Sequence, residues 1–208
     1  MQIVVKASPE QKESFLSRKL AEEVVIHWLT KDSSPPAAVA YFDLCYEDEG
    51  FEFKEITRAP IFVNAVLTSS DHLPANAIRI NAWNSFLNRP VWELTGKNTS
   101  LNAAALQVLE KMGLKGVIVP DEPGLIAVRI IAMIINEAYF AWGDAISSKA
   151  DIDTAMKLGT NYPFGPFEWA GIIGLEKISA LLQILAINDE RYCPAPSMLA
   201  ELLIKKTQ

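Results

Sequence analysis

No glycine occurs in this 208-residue chain before Gly50. A strand-to-helix turn that cradles phosphate uses glycines, because the backbone must approach the anion closely and offer it the amides of a helix start. The turn after the first apolar run reads Ala7-Ser8-Pro9-Glu10-Gln11. Its side chains fill the space a phosphate needs, and Glu10 repels an anion. No GxGxxG spacing follows later in the chain. Basic charge is also scarce: 19 Lys and Arg against 25 Asp and Glu give a net charge of -6 and a pI near 5.0. That balance excludes the basic face that nucleic acids and anionic membranes demand.

Cysteine and histidine number two each. Cys45 and Cys193 lie far apart, with no CxxC or Cys/His spacing, so no metal site is expected and both read as free thiols. His72 reads as a solvated loop residue rather than a base, and His27 as a strand residue, packed or on a surface face. Long uninterrupted apolar runs are missing. The most apolar stretch, Leu125 to Ala141, contains Arg129, Asn136 and Glu137 and reads as a buried helix. The first residues, MQIVVKASPEQKESF, meet charge too soon for a leader or a span, and the expected location is the cytoplasm.

What is present is half hydrophobic and strongly patterned. Apolar, β-branched runs at Gln2 to Lys6, Val24 to Leu29, Ala37 to Leu44, Ile61 to Leu67, Ala77 to Ala82 and Gly116 to Val119 predict strands. Ser8-Pro9, a cap followed by proline, opens a predicted helix over Pro9 to Glu23. A second helix is expected over Asn102 to Met112, stopping at Gly113. Strands alternating with helices imply a mostly parallel sheet covered by helices. After Asp121-Glu122-Pro123-Gly124 only helical periodicity remains: Ile126 to Trp142, Ser148 to Leu158, Pro166 to Leu185 and Ala195 to Lys205. The expected boundary lies near residue 122, between an α/β domain over 1–122 and an all-α domain over 123–208.

Pro123-Gly124-Leu125-Ile126, Arg129, Asn136-Glu137-Ala138, the run Asp151 to Gly159 and Tyr162-Pro163-Phe164-Gly165-Pro166-Phe167-Glu168 occur in one order. This segment resembles the C-terminal domain of the 3-hydroxyacyl-CoA dehydrogenase family, and Arg191 to Pro196 is similar to the family's next segment. The first 120 residues resemble the family in outline. Ala37 to Leu44 with Glu47-Asp48 and a helix-like stretch to Thr57 is similar to the strand after its ribose-binding part. Thr68-Ser69-Ser70 resembles its Thr-Ser-Ser turn, and Arg79 to Asn84 the strand that carries its histidine. The resemblance implies a reduced Rossmann-like domain followed by a helical domain of the 3-hydroxyacyl-CoA dehydrogenase type.

The resemblance also implies a mechanism against which these residues can be tested. Oxidising a 3-hydroxyl needs a base while hydride leaves for NAD, and histidine suits that task because it titrates near neutrality. The family's histidine position is Asn81 here, whereas Glu93 stands where the glutamate that orients it belongs. An asparagine amide can hydrogen-bond a substrate oxygen but cannot take up its proton. The family asparagine that holds the substrate carbonyl is replaced by Val128, which has no donor. Ser69 matches a remaining polar position. Pro163, Gly165 and Pro166 read as turn formers, and Phe164, Phe167 and Trp169 as core.

Three functions follow as expectations. The first is a homologue without NAD binding or catalysis, which binds an acyl-CoA or related thioester in the cleft between its domains or serves as a partner protein. The second is an active NAD-dependent enzyme of fatty acid metabolism with an altered base. The third is a structural dimerisation module. Ile126, Ile130, Ile131, Met133, Ile134, Ile135, Tyr139 and Phe140 place apolar side chains round most of one helix, which implies a homodimer through the helical domain.

Overall fold

Seven apolar segments of the first half pair into one sheet, seen in a computed structural model that describes residues 1–30 and 33–207. They are β1 (Gln2–Lys6), β2 (Val25–Trp28), β3 (Ala40–Asp43), β4 (Ile61–Asn64), β5 (Ala77–Ile80), β6 (Val91–Gly96) and β7 (Lys115–Ile118). The order across the sheet is β2-β1-β3-β4-β5-β6-β7. All neighbours run parallel except β5 and β6, which are antiparallel. Both faces are covered, so β3, β4 and β5 are buried at every position. On one face Phe15 meets the rings of Trp28, Phe42 and Trp92 at 6.0, 5.8 and 5.9 Å. On the other face Val4, Tyr41, Phe53, Ile61 and Leu73 form a second cluster.

Three helices lie among these strands: α1 (Pro9–Leu16), α2 (Tyr46–Glu49) and α3 (Thr99–Lys111). α1 starts where Ser8-Pro9 places it but stops at Leu16, short of the expected Glu23. The chain turns there because the Ser17 hydroxyl donates to the Ser14 carbonyl and the Ala21 N–H to the carbonyl of Met112. The helix-like stretch from Glu47 to Thr57 is likewise one short turn, ended by Gly50 at φ 85°. β6 is a strand the patterning did not announce. Its Trp92 and Leu94 point into the core while Val91 and Glu93 do not, the alternation of a strand covered on one side.

The chain divides into two compact units, Met1–Leu125 and Ile126–Gln208. The second holds α4 (Ala127–Gly143), α5 (Lys149–Thr160), α6 (Pro166–Ile173), α7 (Leu175–Ala186) and α8 (Pro196–Lys206). The single helix expected over Pro166 to Leu185 is two, bent by 98° at Gly174, whose φ of 103° ends α6. Val128, Ile131, Ala132 and Ile135 of α4 are buried, and α4 packs on α6, α7 and α8. Asn136 ties α4 to the segment before α8, donating to the Cys193 carbonyl at 2.9 Å and accepting from the Ala195 N–H at 2.8 Å. Asp153 caps α6 by accepting from the Phe167 N–H at 2.8 Å. No single helix among the described residues is long and apolar enough to cross a membrane.

Candidate functional site

In an open parallel sheet the ligand crevice lies beyond the C-terminal strand ends, where strand order reverses. Here that point lies between β1 and β3. Residues just past the ends of β1, β2 and β3 line a crevice of about 590 Å³ there, among them Ala7, Thr30, Cys45 and Glu49. Its polar groups answer one another. Lys6 Nζ lies 3.0 Å from the Glu49 carboxylate and 2.7 Å from that of Glu52. Burial works to lower the Lys6 ammonium, but those hydrogen bonds and the nearby Asp43 charge outweigh it and hold it above its usual range. Burial pushes the Asp43 carboxyl up to about 6, against the Glu52 N–H that donates to it at 2.8 Å. Burial also raises the Cys45 thiol to about 11, with Glu49 adding to the shift.

The start of α1 is closed on itself. Gln11 N–H donates to the Ser8 hydroxyl at 3.2 Å, and Ser8 N–H to the Gln11 side-chain oxygen at 3.0 Å. The Ser8 hydroxyl donates to the Glu10 carboxylate at 2.8 Å. Glu10's own backbone N–H, then Ser8, lower the pKa of that carboxylate. A negative side chain thus sits where a dinucleotide would present its pyrophosphate to the helix start.

At the other end of the parallel set stand the residues expected to replace the catalytic pair. Arg79 pairs with Thr95 and Ile80 with Leu94. Asn81 follows β5 directly, and Glu93 lies in β6, where its register partner is Val117 of β7. Asn81 is half-buried, its Oδ1 accepts the Trp83 N–H at 3.0 Å, and its Nδ2 is buried without a partner. Asn64, fully buried at the end of β4, repeats the pattern: Oδ1 accepts the Ala82 N–H at 2.9 Å and Nδ2 is idle. Ser85, at a strained φ of 74°, adds an unpartnered buried hydroxyl in the same turn. Glu93 acts electrostatically on Arg89, opposing the fall in that guanidinium's pKa that burial causes.

Ser69 is half-buried and caps a short 3-10 turn over Ser70–His72 without a side-chain bond. Its neighbour Ser70 is the anchored residue, donating from both N–H and hydroxyl to Asp121. Val128 belongs to the helical unit and is wholly buried there, so it offers no polar contact. His27 and His72 are exposed, and among the described residues no His, Cys, Asp and Glu cluster could hold a metal. Cys45 and Cys193 are free.

Residues whose roles were not read from the sequence organise the site. Glu47 accepts from the N–H groups of Val66 and Leu67 at 2.6 and 2.8 Å and from the Trp83 indole at 2.5 Å. Buried Gln11 donates to the carbonyls of Leu44 and Ala82, joining α1 to the ends of β3 and β5. Arg79 is fully buried, ion-paired with Asp121, and bonds the carbonyls of Ala65, Val66 and Glu122. A charged residue within the apolar strand Ala-Ile-Arg-Ile was the available signal for that last role.

A Rossmann-like α/β unit followed by a helical bundle is the class this architecture defines. Residues 124–207 match the family "3-hydroxyacyl-CoA dehydrogenase, C-terminal domain". The chain is 38% identical over 108 residues to the 3-hydroxyadipyl-CoA dehydrogenase of Escherichia coli K12, covering 51% of this chain and 23% of that protein. It is 34% identical over 111 residues to a 3-hydroxybutyryl-CoA dehydrogenase of Bradyrhizobium diazoefficiens, covering 50% and 38%. The crystal structure of the (S)-3-hydroxybutyryl-CoA dehydrogenase of Ralstonia eutropha shares the fold, with a TM-score of 0.73 at 18% identity over 98% of this chain and 94% of that one. Residues 124–207 are thus similar to the C-terminal domain of the 3-hydroxyacyl-CoA dehydrogenases. The chain spans about a quarter to a half of the length of the curated relatives it matches.

Proposed function

We propose that this chain is a dehydrogenase relative that binds an acyl thioester, or a protein partner, without nicotinamide and without redox turnover. The observation that carries the reading is the self-satisfied turn after β1. NAD, which kinship with the dehydrogenases implies, does not fit the residues present. Ser8, Glu10 and Gln11 take up the polar groups at the start of α1, and side chains stand where glycines would leave room. Lys6 is held by Glu49 and Glu52.

The base is missing as well, since Asn81 stands at the family's histidine position and cannot be protonated to a stable cation. Its idle Nδ2 still suits a carbonyl or hydroxyl oxygen, and the idle Nδ2 of Asn64 is a second donor at the same sheet end. The thioester class follows from the names of the relatives. A thermal-shift series with acyl-CoA thioesters of increasing chain length tests this reading. A concentration-dependent rise in Tm for at least one supports it. Turnover of a 3-hydroxyacyl-CoA with NAD would favour an active enzyme instead.

A further inference from the structure

Three buried polar groups meet at the paired ends of β4 and β5 without a partner: Nδ2 of Asn64, Nδ2 of Asn81 and the hydroxyl of Ser85. A folded chain normally satisfies such groups. The main chain fixes which way both amides face. Asn64 Oδ1 accepts from the Ala82 N–H and Asn81 Oδ1 from the N–H of the next residue, Trp83, at 2.9 and 3.0 Å. Both oxygens are therefore taken and both amide nitrogens are left over. Ser85 lies in the same turn, closed by the Phe86 N–H on the Trp83 carbonyl at 3.0 Å, and keeps a φ of 74° that glycine would adopt without strain.

The leftover groups are of one kind. An amide nitrogen can only donate. The serine hydroxyl can accept, but its own proton then still needs an oxygen, and both amide oxygens beside it are taken. A ligand hydroxyl would bring one more proton in search of an acceptor, whereas a carbonyl oxygen brings lone pairs alone. Charge separates neutral from anionic acceptors. The Glu47 carboxylate holds the Trp83 indole of this turn at 2.5 Å, and it repels a carboxylate or a phosphate. What the three donors suit is an uncharged carbonyl.

We propose that the turn after β5 discriminates by oxidation state: Asn64, Asn81 and Ser85 select a ketone oxygen on the acyl chain and disfavour the corresponding alcohol. The inference rests on the thioester reading above and makes the chain a receptor for an oxidised acyl group. Ser85 and Asn81 are half-buried, which leaves them in reach of a ligand, while Asn64 is fully buried and completes the donor set.

Isothermal titration of the full chain with three matched thioesters tests it. The relatives are named for a hydroxyl at carbon 3, so acetoacetyl-CoA, 3-hydroxybutyryl-CoA and butyryl-CoA supply a ketone, a hydroxyl and no oxygen at that carbon. The ketone is expected to bind about tenfold tighter than either of the others. Asn81→Asp keeps the oxygen that holds the Trp83 N–H but replaces the donor by an acceptor. This variant is expected to bind the hydroxyl compound at least as tightly as the ketone, with an unchanged circular dichroism spectrum. Ser85→Gly relieves the strained backbone and removes the hydroxyl, and is expected to raise Tm while weakening ketone binding severalfold. Equal affinity for the three thioesters, or a hydroxyl compound bound tighter than the ketone by the wild type, would overturn the proposal and leave the thioester reading standing. Binding of none of them would overturn both. A ketone preference unchanged in both variants would also overturn the assignment to this turn.

Discussion

Lys6 and Asp43 are register partners at the ends of β1 and β3, yet the lysine's hydrogen bonds go to Glu49 and Glu52 rather than to its buried neighbour. Asp43 keeps one carboxylate oxygen on the Glu52 N–H, and the other is buried without a partner. The carboxyl titrates at about 6 in the folded chain because burial disfavours its charge. In the unfolded chain an aspartate titrates near about 4.

The sign follows from these two values. Between them the folded state holds a proton that the unfolded state has lost, so this group's contribution to stability is present at low pH and is lost as pH rises through about 6. Asp43→Asn removes the buried charge. Relative to wild type the variant is expected to gain up to roughly 3 kcal/mol on going from pH 4 to pH 7. Urea denaturation at several pH values measures this, and parallel stability curves for the two proteins would contradict it.

Arg79→Leu is expected to destabilise the chain by about 3 kcal/mol, since it removes one partner of a buried ion pair and leaves three carbonyls without their donor. Arg79→Lys rescues little, because an ammonium cannot reproduce the planar fork. Chemical denaturation of both variants decides the point, and a loss below about 1 kcal/mol for the leucine variant would remove Arg79 from the structural account.

Gly165 precedes α6, and a methyl group there would fall on the Asp153 carboxylate that caps the helix. Gly165→Ala is expected to cost about 1 to 3 kcal/mol through overpacking and a displaced cap. The shift in Tm reads it directly, and an unchanged Tm would mean that Asp153 can move freely.

Asn81→His restores a base at the family's histidine position but leaves Val128 and the closed turn after β1 as they are. No NADH production from 3-hydroxyacyl-CoA is expected from this variant. An absorbance assay at substrate and NAD saturation checks it, and measurable turnover would show that the nucleotide still binds.

The sequence was most legible where one residue decides the geometry. Ser8-Pro9 started α1, Gly113 followed the end of α3, and the β-branched runs marked six of the seven strands. It was least legible where distant contacts set the ends of elements. α1 stops at Leu16 because residues after it bond to the end of α3, and nothing local in the helix formers up to Glu23 says so. β6 was missed because Val91 to Gly96 is interrupted by Glu93, whose place beside Val117 of β7 only the sheet register reveals. At the site, the absent glycines were visible at once. The carboxylates of Glu47 and Glu52 were visible as charges, but their partners come from segments many residues away.

Fluorescence titration of the full chain with NADH tests the central claim most directly. With the start of α1 capped by its own Ser8, Glu10 and Gln11, no saturable change in nicotinamide fluorescence is expected at physiological nucleotide concentrations. Saturable binding with micromolar affinity would contradict the account.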